Sequence, residues 1–175
     1  MPAHETLIDR SNTLIEHTRF FTLASRGPDG VWASTVNFIP LRQPLRFLWY
    51  SLRDARHSRN IDADPRVAGT VFRTDLPTEL GLDGAQLTGT AHEMNTENVG
   101  DLYNLFYERN FPDEQVRQQW QLPLEEFRGE GPRRFYLLTI TKWWLVDLDL
   151  WLQTKNDRRI AVDLDALSTN RPSHR

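Results

Sequence analysis

The stretch Trp49-Tyr50-Ser51-Leu52-Arg53-Asp54-Ala55-Arg56-His57-Ser58-Arg59-Asn60 contains an abrupt change of pattern. Leu45 to Tyr50 is bulky and β-type, and reads as a strand. From Ser51 to Asp64 the alternation stops, arginines accumulate, and Pro65 closes the segment, so a turn and a short helix are expected. The free N–H groups and partial positive charge of a helix start favour an anion. If the helix includes Arg53, then Arg53, Arg56, His57 and Asn60 share one face. An arginine fork beside a histidine and the Ser51 hydroxyl suits the terminal oxygens of a phosphate. The spacing alone fits a solvated basic helix with surface ion pairs better. Asp54 either caps the helix or repels the anion.

On the N-terminal side, residues 3–18 read as an amphipathic helix with Leu7, Ile8, Leu14 and Ile15 on one stripe. Phe20 to Ser25 reads as a strand, Gly27-Pro28-Asp29-Gly30 as a hairpin turn, and Val31 to Ile39 as the returning strand. Pro40 to Pro44 is a second turn. On the C-terminal side, Val67 to Phe72 is a strand, 74–84 a loop, and Ala85 to Ala91 an alternating strand. A helix is expected from 96 to 109, capped by Asn95, with a second short helix over 112–121. Phe135 to Leu152 reads as a long β-rich run broken near Lys142, and Arg159 to Leu164 as the last strand. Short strands joined by hairpins, with helices inserted late, predict one mainly β (α+β) domain over 1–165, an antiparallel barrel with peripheral helices, and a polar tail over 166–175. A β-sandwich is the alternative.

The chain has 175 residues, enough to bury about 70% of its surface on folding. Its net charge of −3 gives no general attraction to nucleic acid or anionic membrane. With no cysteine, disulfides, thiol nucleophiles and Cys-based metal sites are excluded, and a cytoplasmic location is expected. The N-terminus is charged and periodic, unlike a signal peptide or membrane span. The five histidines have no metal-site spacing, so no metal is expected, and neither a Walker loop nor a G-x-S-x-G elbow occurs.

Two further segments could meet a flat heterocycle. In Trp32 to Phe38 small and polar groups alternate with bulky ones. Backbone amides of such a small-residue strand could bond a ring edge, and the Asn37 side chain could add a bond. A barrel strand with one polar face explains the same pattern. In Gly84 to Thr90, Gln86 can donate and accept at a ring edge. The tryptophans Trp143, Trp144 and Trp151 suit packing or a dimer contact better than a cofactor box.

Taken together, Phe47-Leu48-Trp49-Tyr50-Ser51, Ala55-Arg56-His57-Ser58-Arg59-Asn60-Ile61 and Asp64-Pro65-Arg66-Val67-Ala68 resemble the pyridoxamine 5'-phosphate oxidase-like, FMN-binding split-barrel superfamily. Thr22 to Ser25, Ser34 to Phe38 and Gln86 to Ala91 extend the likeness over about residues 15–150. Val67 to Val71 and Tyr107 to Pro112 resemble an uncharacterised bacterial subgroup. The resemblance implies a six-stranded split barrel that forms a homodimer, with FMN between the subunits. It places Tyr50 and Ser51 by the ribityl-phosphate, Arg56 and His57 at the phosphate, and residues 35–37 at the isoalloxazine edge. Gln86 would approach the ring from the neighbouring strand, and Trp144 would come from the partner.

The chain departs from the family pattern in three places. His57 stands where the family has a phosphate-binding lysine. Thr35 and Pro40 replace an arginine and a lysine. The C-terminal Arg-x-His that handles pyridoxine phosphate has no counterpart around Trp151 to Arg159. The resemblance thus implies a flavin-dependent oxidoreductase acting on some other small molecule. A non-catalytic carrier of flavin, deazaflavin or haem is the alternative, and a cofactor-free dimeric interaction protein is a third reading.

Overall fold

The computed structural model describes residues 6–76 and 83–169. Helix α1 (Leu7–His17) leads into strands β1 (Phe20–Gly27), β2 (Gly30–Asn37), β3 (Ile39–Leu41) and β4 (Arg46–Leu52). Helix α2 (Arg56–Ala63), β5 (Arg66–Arg73) and β6 (Asp83–Glu93) follow, then α3 (Val99–Asn110), α4 (Glu114–Trp120) and a 3-10 turn at Leu124–Phe127. The chain ends with β7 (Arg133–Val146), α5 (Leu148–Thr154), β8 (Arg159–Ala161) and α6 (Leu164–Thr169). All eight strands form one antiparallel sheet in the order β2-β1-β5-β6-β7-β4-β3, with β8 on β7.

β2 and β3 lie at opposite ends of that order, yet only Phe38 separates them in sequence. The sheet must therefore curl until its ends meet, which makes it a split barrel. Phe38 is the pin at the seam. Its N–H donates to the Arg19 carbonyl at 3.1 Å. Its ring, 2% exposed, lies 5.3 Å from Phe21 and 4.0 Å from Phe47 between centroids.

The inward faces supply one core of Phe21, Leu23, Phe47, Trp49, Leu87, Leu138, Trp143 and their neighbours. α1 closes one end of the barrel. The Trp143 indole donates to Ser11 at 3.0 Å, and Arg10 pairs with Asp83 while donating to the Val146 carbonyl. α2 closes the other end through buried Ile61 and a hydrogen bond from Asn60 to Ser25 of 3.1 Å. The outer face of β4 and β7 is covered by α3, where Leu48, Phe106, Tyr107, Phe127 and Phe135 form a second cluster. Burial on both faces explains why Phe47-Leu48-Trp49-Tyr50 reads as a continuous apolar run.

The mainly β, barrel-type expectation holds, with eight strands among the described residues where the resemblance implied six. The hairpin turn is as read: Gly27 faces Gly30, which takes a φ of 93° available to glycine. The returning strand is two strands, because Phe38 turns the chain from one sheet edge to the other. The break near Lys142 is a bulge inside a continuous β7: Thr88 faces Lys142 and Gly89 faces Ile140, leaving Thr141 extra. Leu148 to Thr154 is helical, because Asp147 accepts from the Leu150 N–H and caps a helix there. β8 stops at Ala161, and α6 then seats Leu167 in the core. The middle of the expected 74–84 loop, the start of the first expected helix and residues 170–175 of the expected tail lie outside the described residues. No described helix is long and apolar enough to cross a membrane.

If Phe38 pins the seam, Phe38→Ala should cost about 3–5 kcal/mol of stability, the usual loss for a buried phenylalanine. A urea unfolding midpoint that stays at the parent value would contradict this role.

Candidate functional site

The corner where β4 passes to α2 is built by backbone hydrogen bonds. The Arg53 N–H donates to the Pro132 carbonyl at 2.9 Å and the Ala55 N–H to the Leu52 carbonyl at 3.2 Å. Ser58 fastens the same turn by donating to the Leu52 carbonyl at 2.7 Å. The helix begins at Arg56, so Arg53 lies outside it. No side chain caps it and its first turn contains no acid. Asp54 makes neither a cap nor a side-chain bond to the helix start; its carbonyl instead accepts from the Arg59 guanidinium.

The first turn of α2 rests against β2. Arg56 donates to the Asp29 carbonyl at 2.8 Å and lies 4.6 Å from the centre of the Trp32 ring. His57 Nδ1 is 3.1 Å from the Ser34 hydroxyl. Arg56 Nε and His57 Nε2 are buried and have no hydrogen-bond partner among the described residues. Burial also lowers the His57 pKa below its ordinary value of 6.5. The ring is therefore neutral at pH 7. Ser34 Oγ and Nδ1 can bond in either direction; the tautomer in which Ser34 donates leaves the ring proton on Nε2, free to donate to an anion. Asn60 keeps α2 close to the hairpin: a side chain on Gly27 would place its Cβ 2.1 Å from Asn60 Oδ1.

The other expected residues fall in three places. Thr35 is on the outer face of edge strand β2, Val36 points into the core, and the Asn37 side chain donates to the Arg19 carbonyl at 2.9 Å. Gln86 and Trp144 face each other on β6 and β7. They border an open depression of about 420 Å³ on the outer face, with Thr22, Ala24, Ala68 and Thr70. A single row crosses this face by register: Thr35, Thr22, Thr70, Gln86, Trp144. Tyr50 lies on the far side, its ring 5.1 Å from both Phe106 and Phe127. Ser51, opposite Arg134, is the penultimate residue of β4, next to the corner.

Arg56 and His57 are thus brought together, and Thr35 to Asn37 form the adjacent strand edge. Gln86 is not on a neighbouring strand. β1 and β5 intervene, which puts it about 14 Å from β2 at three strand spacings. Trp32 and Ser34 complete the corner and were not singled out from sequence. Alternation places Trp32, Ser34 and Val36 on one face of β2, but only the fold shows that α2 lies against that face.

Residues 7–147 match the family model for pyridoxamine 5'-phosphate oxidase. The chain belongs to the pyridoxamine 5'-phosphate oxidase family. A comparison with curated protein sequences finds no match. Solved structures with the same fold include a haem-binding protein from Mycobacterium smegmatis, with TM-score 0.64 and 16% identity over 93% of this chain. This chain spans 60% of that protein's length. The haem storage protein HutZ from Vibrio cholerae has TM-score 0.59 and 13% identity, covering 77% of this chain and 91% of its own. A FAD-binding protein from Mesorhizobium loti has TM-score 0.58 and 12% identity, covering 79% and 91%. The fold is thus shared among chains of very different sequence.

Because the folded His57 pKa lies below 6.5, the unfolded chain takes up its proton first as the pH falls. The contribution of His57 to stability is complete above pH 6.5 and is lost as the pH falls towards the folded value. His57→Gln should therefore show a smaller loss of urea stability between pH 8 and pH 5 than the parent. Parallel losses in the two proteins would place His57 in solvent.

Proposed function

We propose that this protein binds FMN between the subunits of a homodimer and acts as a flavin-dependent oxidoreductase on a small molecule. The observation that carries the reading is the α2 corner: an uncapped helix start beside the free edge of β2, with buried Arg56 Nε and His57 Nε2 lacking partners. That donor set fits a phosphate. The helix N–H groups and Arg56 supply charge and direction, and neutral His57 supplies a hydrogen bond in place of a cation. Thr35, Val36 and Asn37 offer edge backbone to the ring. Ser51 sits within the corner, while Tyr50 supports it from behind through the α3 cluster.

When bound, FMN supplies hydride or electron transfer. The chain's own part is to hold the phosphate, orient the ring along β2 and exclude water. Gln86 and Trp144 stand three and four strand positions from β2, at the far end of the outer-face row, where they would meet the ring of the partner's site. The small residues Ala24, Ala33 and Ala68 on the outer face let a second copy approach. A chain without cysteine suits the cytoplasm, where such an enzyme would work. Haem binding is the second reading, supported by the two haem proteins among the structural neighbours.

Arg56→Ala should weaken FMN binding by about 1.5–3 kcal/mol, the value of a hydrogen bond to a charged group. Binding of riboflavin, which lacks the phosphate, should be unchanged by the substitution. Equal FMN titrations for variant and parent would move the phosphate elsewhere. A Soret band in the purified protein, with no flavin absorbance, would favour haem.

Ala68→Arg puts a charge at the centre of the outer face. Light scattering should then report the monomer mass, with loss of FMN affinity. A variant that keeps both the dimer mass and FMN would place the interface on another surface.

A further inference from the structure

We infer that a cavity of about 360 Å³, next to Thr35 on the outer face, binds a planar, uncharged aromatic compound. The inference rests on the flavin reading, which makes this compound the substrate. The cavity is lined by Thr18, Phe20, Thr22, Thr35, Phe72 and Arg73, among others. Phe20 and Phe72 lie two residues beyond the paired Thr22 and Thr70, and they are 54% and 61% exposed. Most large apolar side chains on this sheet are buried, so two exposed phenyl rings at one cavity need a reason. Together they offer a flat ligand two aromatic walls.

The polar groups narrow the ligand class. Thr18 Oγ1 is buried with no partner among the described residues and can bond a hydroxyl or carbonyl on the ring. The two guanidinium groups at the cavity are already committed. Arg73 donates to both oxygens of Asp75 at 2.8 Å. Arg19 donates to the Asn110 carbonyl at 2.9 Å and lies 5.3 Å from the centre of the Phe111 ring. The third basic group at the cavity, His17, lies close enough to Asp75 to act on its carboxylate. A phosphorylated ring would have to compete with Asp75 or Asn110 for these groups, whereas an uncharged ring leaves their contacts intact. Thr22 lines both this cavity and the larger depression, and Thr35 is where the flavin edge is proposed to lie. The occupant would sit beside the flavin.

Calorimetric titration with 1,4-naphthoquinone, a planar uncharged probe, and with pyridoxal 5'-phosphate, a charged one, tests the pocket. Parent, Phe72→Ala and Thr18→Val proteins are compared with and without FMN. The quinone should bind the parent more tightly than the phosphate does. Phe72→Ala should weaken it roughly tenfold, the scale of one lost aromatic contact, without changing FMN affinity. Thr18→Val should weaken the quinone alone. Quinone binding that is indifferent to both substitutions, or a preference for the phosphorylated ring, would overturn the assignment. So would conversion of Phe72→Ala to a monomer by light scattering, since Phe72 would then be a subunit contact. Quinone binding that depends on Phe72 in a protein that takes up no FMN would keep the pocket and remove the flavin reading.

Discussion

The fold depends on a covalent constraint. β2 and β3 occupy the two ends of the sheet and are joined through a single residue, Phe38. A flat sheet of this strand order cannot exist with so short a link, so the sheet curls. Curling gives it an inside, which the aromatic core fills, and leaves two open ends, which α1 and α2 close. The α2 corner is therefore a product of the same constraint: the helix that stops one end of the barrel presents its uncapped start beside the sheet's free edge.

Much of this was legible in the sequence. Pro28-Asp29 between two glycines fixed the hairpin, because only a tight turn uses those residues so closely. The loss of alternation after Tyr50 located α2 to within a few residues. β8 was legible at Arg159, although it stops at Ala161; β3 was not, because its three residues fall between the run read as one returning strand and the turn Arg42 to Pro44. Leu148 to Leu152 misled for a different reason. Five residues of Leu, Asp and Trp alternate like a strand, and the Asp147 cap that makes them helical is a local hydrogen bond invisible to a hydrophobic pattern.

The candidate site was legible in part. Arg56 and His57 stood out as a basic pair at a helix start, and the structure puts them together. Trp32 and Ser34 did not, since their importance comes from a contact between residues more than twenty apart in the chain. The grouping of Gln86 with the strand edge also exceeded what sequence could give. Strand order is a long-range property, and two strands lie between them.

The hydrogen bond from Arg56 to the Asp29 carbonyl, together with the packing of Asn60 against Gly27, fastens the tip of the first hairpin to the helix start. The hairpin tip is then no passive loop. Its conformation, held by a glycine in a left-handed state, sets how far the guanidinium can reach, so a change in a solvent-facing turn would be felt as a change in ligand grip.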